Sequence, residues 1–297
     1  MARLSPNDRL RVPTATALVA LHAAVALFGL AGLFGKVLDL SPLTIVFGRT
    51  LVAALALGLF AAARREPVGR LEVTWLLNGG ILALHWVTFF LAIQLSSVAV
   101  GLLGYATFPL FTLLIERRGR VRGITAREWI TIVLVIAGFV VLVPRLAWSD
   151  RAVQGLALGT ISGVTFAWLA LRNRALLPRH NALGLAFWQN TWAAIWLMVV
   201  IAPLAETLEA PTWEDLGALV TLGALCTALA HTLFIASLRG LSAHTASVVA
   251  ALEPAYGIAL AAWLLGEVPT VRQLVGAVLL VAAALIASHR SAPAVAQ

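Results

Sequence analysis

Apolar runs of close to transmembrane length follow one another along nearly the whole chain, separated by short polar breaks. They cover roughly 14–35, 42–63, 72–94, 97–115, 127–144, 152–172, 181–203, 212–238, 241–265 and 270–288. About twenty apolar residues in a helix cross a hydrocarbon core of about 30 Å. A backbone in hydrocarbon must satisfy its own hydrogen bonds, so each run predicts a transmembrane helix. Ten spans result. Pro42, Pro67, Pro144, Pro178, Pro211 and Pro269 fall near their ends, where a lost N–H costs least. The first run is too long for the core of a cleaved signal and reads as a retained span. The tail Ser291–Gln297 reads as disordered, and no soluble domain or low-complexity tract interrupts the pattern.

Composition agrees. The chain is 61% hydrophobic and 11% charged, far outside the range of a soluble domain. Its net charge of +8 does not point to nucleic acid, because the basic residues sit in the short breaks between spans. With the N-terminus inside, sixteen Lys and Arg fall on inner segments and four on outer ones, leaving Arg49 within a span. That bias predicts an N-in, C-in topology. Trp75, Trp129, Trp148 and Trp213 near span ends suit the interface. The single cysteine, Cys226, excludes an intrachain disulfide and reads as a small packing residue.

Ten spans divide into five and five, over 14–144 and 152–288. An odd-numbered unit re-enters the membrane upside down. A shift of 145 residues lays Phe89 on Phe234, Ser97 on Ser242, Pro109 on Pro254, Thr125 on Thr270 and Arg127 on Arg272. Two inverted five-helix repeats around a central cavity, with the substrate site near mid-membrane, are the expectation. The stretch Ser242–Thr270 organises the second half. It carries Glu253-Pro254 in mid-span, and Pro109 and Pro254 are expected to kink their helices.

The run LSAHTASVVAALEPAYGIALAAWLLGEVPT resembles the second-repeat signature of the EamA family of the drug/metabolite transporter superfamily: a Ser-Ala start, a mid-helix Leu-Glu-Pro and a closing Leu-Gly-Glu. LSSVAVGLLGYATFPLFTLLIE resembles a weaker first-repeat version, FGRTLVAAL carries an arginine as second spans of the family often do, and FAWLALRNR resembles the opening helix of the second repeat. The resemblance implies a ten-helix inner-membrane carrier of small metabolites such as amino acids, nucleotide sugars or drugs. The first repeat departs from the pattern, with Phe108 where the second has Glu253 and the basic run Arg117–Arg122 where the second has Leu-Gly-Glu.

Polar groups inside a membrane are costly, so each is a site candidate. His22, His85 and His231 either line a substrate cavity or hydrogen-bond between helices; no pair has metal-site spacing within a helix, and His244 reads as interfacial. Glu253 is the proton-coupling candidate, since burial disfavours a charged carboxylate, with a helix-tying role as the alternative. Glu267 reads as structural. Arg49 lies roughly 10 Å deep at 1.5 Å per residue. It could hold a substrate carboxylate or phosphate, snorkel to the surface, or bind backbone carbonyls. Trp86, Tyr105 and Trp168 come from three helices and are expected to converge as cavity walls. Gln189 and Asn190 are candidates for orienting a substrate, whereas Trp188, Trp192 and Trp196 recur on one face and read as packing or lipid contact. Gly29, Gly32 and Gly35 allow close helix approach.

These readings favour a secondary transporter that exports small organic metabolites, amino acids or related compounds, by alternating access across the cytoplasmic membrane. The partners are a small-molecule substrate and the bilayer, with a homodimer compatible and nucleic acid not expected. No catalytic residue, metal or cofactor is assigned. An intramembrane enzyme would need a nucleophile–base or metal pair, and the chain carries no HExxH, GxSxG or Walker motif. A non-transporting scaffold or binding protein is the other alternative.

Overall fold

The computed structural model describes residues 13–116, 125–142, 150–207, 210–241, 246, 249–250 and 252–288. His244, Trp148, the run Arg117–Arg122, the helix start at Ser242 and both chain ends lie outside the described residues. The helices are α1 (Thr14–Val37), α2 (Pro42–Arg64), α3 (Val73–Leu95), α4 (Val98–Tyr105), α5 (Phe108–Glu116) and α6 (Ala126–Leu142). They continue with α7 (Arg151–Leu176), α8 (Ala182–Ile201), α9 (Trp213–Gly223), α10 (Ala230–Ser237), α11 (Glu253–Leu265) and α12 (Val271–Ser288). Among the described residues there is no strand. Among the described residues, seven segments are long and apolar enough to cross a membrane: α1, α2, α3, α4 with α5, α7, α8 with its extension, and α9 to α10. Shorter apolar stretches lie within α6 and α12. The chain is a multi-pass helical membrane protein, with helix bounds within a few residues of the expected spans wherever both are described.

Local chemistry sets the ends. Ser41 accepts from the Thr44 N–H and Pro42 opens α2. Asp150 caps α7, Asn181 caps α8, and Thr212 with Asp215 forms a capping box on α9. Each satisfies an N–H that the helix leaves open. At the end of α11, Gly266 takes a left-handed φ of 66° that stops the helix. Glu267 follows, and both of its carboxylate oxygens accept from the Val98 N–H at 3.3 Å, at the positive end of α4. The closing Leu-Gly-Glu is thus a helix stop joined to a cap on a helix of the other half. Glu267→Ala is expected to cost about 1 kcal/mol, seen as a lowered melting temperature of purified protein.

The two mid-span prolines do the same thing in both halves. Each is the second residue of a helix that follows a break: Pro109 in α5 after the turn at Ala106–Thr107, and Pro254 in α11 after Leu252. The segment 213–237 holds an irregularity that the pattern did not predict, a π-helical turn over Ala224–Leu229 between α9 and α10.

Packing follows a rule of exchange. α2 packs on α8 and α6 on α12. α4 packs on α7 as α11 packs on α1; α3 packs on α7 as α10 packs on α1; α3 packs on α8 as α9 packs on α2. Exchanging each segment for the one five away in the chain maps the first two contacts onto themselves and the remaining six onto one another in pairs. Glycines permit the closest. A Cβ on Gly159 would lie 2.8 Å from the Gly101 carbonyl oxygen and 3.0 Å from the Gly104 Cα, and one on Gly29 would lie 3.0 Å from the Gly257 nitrogen. These neighbours are backbone, which cannot move aside. Gly159→Val is expected to destabilise by at least about 1–3 kcal/mol, read as a lower melting temperature and a smaller monodisperse fraction in detergent.

Candidate functional site

α1, α2, α3, α4, α7, α10 and α11 enclose one cavity at mid-helix depth. Arg49, His85, Trp86, Tyr105, His231 and Glu253, all singled out from the sequence, line it. Phe28, Phe89, Phe166, Phe234 and Asn173 complete much of the wall.

Arg49 is 1% exposed and does not snorkel. Its Nε donates to Thr227 Oγ1 at 2.9 Å, and an Nη donates to the Cys226 carbonyl at 3.3 Å. Both acceptors lie in the π-helical turn, where the wider ring spacing disturbs the regular carbonyl ladder. The guanidinium lies 4.1 Å from the Trp86 ring centroid and 5.2 Å from that of Phe90, within cation–π range. Two of its five N–H groups are used in these bonds. Glu253 comes from the opposite half of the chain and is 3% exposed. Its Oε2 has no hydrogen-bond partner. A buried cation and a buried carboxylate thus line one small volume, with the Tyr105 phenol in the same wall.

The histidines are held differently. His85 Nδ1 lies 2.9 Å from the Ser162 carbonyl and 2.8 Å from the Ser162 hydroxyl. The carbonyl can only accept, so that contact calls for a proton on Nδ1 and leaves Nε2 as an acceptor. His231 Nδ1 lies 3.4 Å from the Asn190 amide nitrogen, and its ring meets Trp86 edge-on at 5.8 Å. Gln189 bonds to Asn173, so it reaches the cavity wall through its neighbour.

Four expected residues do not line the cavity: Gln189 and Asn190 stand behind the wall, against Asn173 and His231, while His22 and Trp168 face elsewhere. His22 is exposed on the outer face of α1, beside the fully buried Leu21. Its helical phase turns it away from the face that carries Phe28. Trp168 lies outside the wall, with the Arg172 guanidinium 5.4 Å from its ring; Phe166, Leu169 and Ala170 of the same helix face inward instead. The Trp188–Trp192–Trp196 stripe also stays out. Trp196 donates to the Leu76 carbonyl and Trp188 to the Val68 carbonyl.

Phe166 was missed and is the hub of the wall. Its ring lies 5.1–5.3 Å from those of His85, Tyr105, Phe108 and Phe234. Nothing in FAWLALRNR separates it from a lipid-facing Phe. Asn173 was missed because it lies between two arginines near a span end. The one available signal was its i+7 relation to Phe166, which puts the two on one face.

The space is narrow. About 30 Å³ can hold the centre of a water-sized sphere, within about 510 Å³ not filled by atoms. Roughly 10–15 Å³ of such volume suffices for one water, so the walls admit water but not a metabolite. Both ends are tied. At one end, Arg172 donates to Thr74, Asn181 to the Pro67 carbonyl and Arg239 to the His180 carbonyl. At the other, Lys36 donates to the Ser96 carbonyl, Gln94 to the Leu40 carbonyl and Gln273 to Ser97.

The model of the EamA-like transporter family matches residues 15–143 and 153–289. The chain belongs to this family. An "Uncharacterized transporter YxxF" of Bacillus subtilis (strain 168) is 25% identical over 281 residues, covering 90% of this chain and 88% of that one. A solved crystal structure, 18% identical, superposes with a TM-score of 0.67 over 93% of this chain and 97% of its own, and shows the fold alone. This EamA-like protein is a membrane transporter, and its cavity is the candidate site of passage.

Proposed function

We propose that this transporter exports small organic metabolites, amino acids or related compounds, across the cytoplasmic membrane by alternating access. The observation that carries the reading is the cavity that Arg49 and Glu253, from opposite halves of the chain, both line. A zwitterion offers a carboxylate to Arg49 and an ammonium to Glu253, and the rings around them take an apolar side chain. The halves 14–144 and 152–288 act as inverted repeats with both termini in the cytoplasm. The exchange rule in the packing, the paired helix breaks at Pro109 and Pro254 and the positive-inside bias support this. In this reading the ties at the two ends serve as gates, and loosening one end at a time opens the site to one side.

Counterflow in proteoliposomes with a pool of labelled amino acids and nucleosides, with and without a pH gradient, tests the reading. Saturable exchange of amino acids is expected. Exchange of nucleosides alone, or none from folded protein, overturns the amino-acid assignment. Net flux from vesicles of known orientation tests export.

A further inference from the structure

The wall of the cavity continues, on α3, into a buried amide that nothing in the fold uses. Asn78 lies on the same helical stripe as Leu82, His85 and Phe89, which line the cavity, and one turn beyond Leu82 toward the Arg172–Thr74 tie. It is fully buried, and neither its amide nitrogen nor its oxygen has a hydrogen-bond partner. α3 packs on both α7 and α8. Those helices carry Asn173, Gln189 and Asn190, also buried, and Gln189 Oε1 and Asn190 Oδ1 have no partner either. Arg172, next to Asn173, turns instead to Thr74 and Trp168. Buried polar atoms without partners are rare and costly, about 1–3 kcal/mol each. Asn173 lines the cavity and the other three stand on helices packed around it, so a hydrogen-bonding group entering there would complete their unpaired atoms.

We infer that Asn78, with Asn173, Gln189 and Asn190, forms an uncharged subsite that takes a carboxamide of the substrate. The chemistry of the donors sets the class. A primary amide presents an N–H donor and a carbonyl acceptor side by side, and its complement is a second amide, joined by paired N–H···O=C bonds. A charged group would meet no counter-charge among these four residues. An aliphatic group would leave the amides unpaired, the situation in which a polar site rejects an isostere most strongly. This inference rests on the amino-acid reading above: Arg49 and Glu253 hold the zwitterion, and the amide subsite selects side chains of the glutamine and asparagine type.

The test compares labelled glutamine with methionine, close in size and lacking the amide, in proteoliposome counterflow. Wild-type protein is expected to prefer glutamine, and Asn78→Leu to lower the glutamine-to-methionine ratio by about tenfold or more while methionine exchange persists. Asn78→Thr, smaller and still hydrogen-bonding, serves if the leucine variant does not fold, with a smaller fall expected. An unchanged ratio, an equal fall for both substrates, or a wild type without preference overturns the subsite. A wild type that carries no amino acid defeats the function reading instead. The subsite is then read from thermal stabilisation of purified protein by glutamine and nicotinamide. A shift that Asn78→Leu abolishes retains the subsite, and the absence of any shift overturns it.

Discussion

Arg49→Leu is expected to abolish amino-acid counterflow, by about a hundredfold or more, and Arg49→Lys to restore little of it. The leucine variant leaves Glu253 as a buried carboxylate with no cation in its cavity. Losing the buried cation that would pair with the substrate carboxylate costs about 2–5 kcal/mol, a factor of tens to thousands in rate. The lysine variant keeps the charge but loses the shape. Nε of Arg49 binds Thr227 while an Nη binds the Cys226 carbonyl, with the guanidinium over Trp86. An ammonium cannot reproduce that planar fork, and it is more strongly hydrated than a guanidinium. The measurement is initial counterflow rate per folded protein, with folding judged by size exclusion. A lysine variant near wild-type rate would show that Arg49 acts only as a point charge. A leucine variant near wild-type rate would remove it from the site.

Glu253→Gln is expected to keep substrate exchange and to lose the effect of a pH gradient on net flux. Glutamine reproduces the shape of a protonated carboxyl group, but it cannot release a proton. Glu253 Oε2 has no protein partner, so the carboxyl group is not fully committed to tying helices together. Exchange moves substrate in both directions through the same states and needs no net proton movement. Accumulation driven by a gradient does need it. Gradient-driven flux unchanged in folded Glu253→Gln protein would assign the residue to structure.

Much of this site could be read from the chain because hydrocarbon makes polar residues conspicuous. Arg49, His85, His231 and Glu253 stand out in apolar runs, and all four line the cavity. His22 stands out equally and does not, since standing out says nothing of direction. Trp168 and Phe166 are two residues apart on α7; one faces outward and the other is the hub of the wall. The glycines 155, 159 and 163, spaced four apart on α7, let α4 and the preceding Ser96 approach. That spacing was a legible signal for close packing, but it does not name the partner helix.

The sequence by itself determined which segments enter the membrane, where most of them end, and that Glu253 and Arg49 require company. Each follows from the cost of polar groups in hydrocarbon and from capping rules that act over a few residues. Only the tertiary structure decided which face of each helix turns inward. These helices are apolar all round, so no stripe announces the core, and facing is settled by contacts between segments far apart in the chain. The meeting of Arg49 with a π-helical turn near residue 227, the Glu267 cap on α4 and the unpartnered amide of Asn78 all belong to that second kind of fact. Each joins groups whose proximity no local rule encodes.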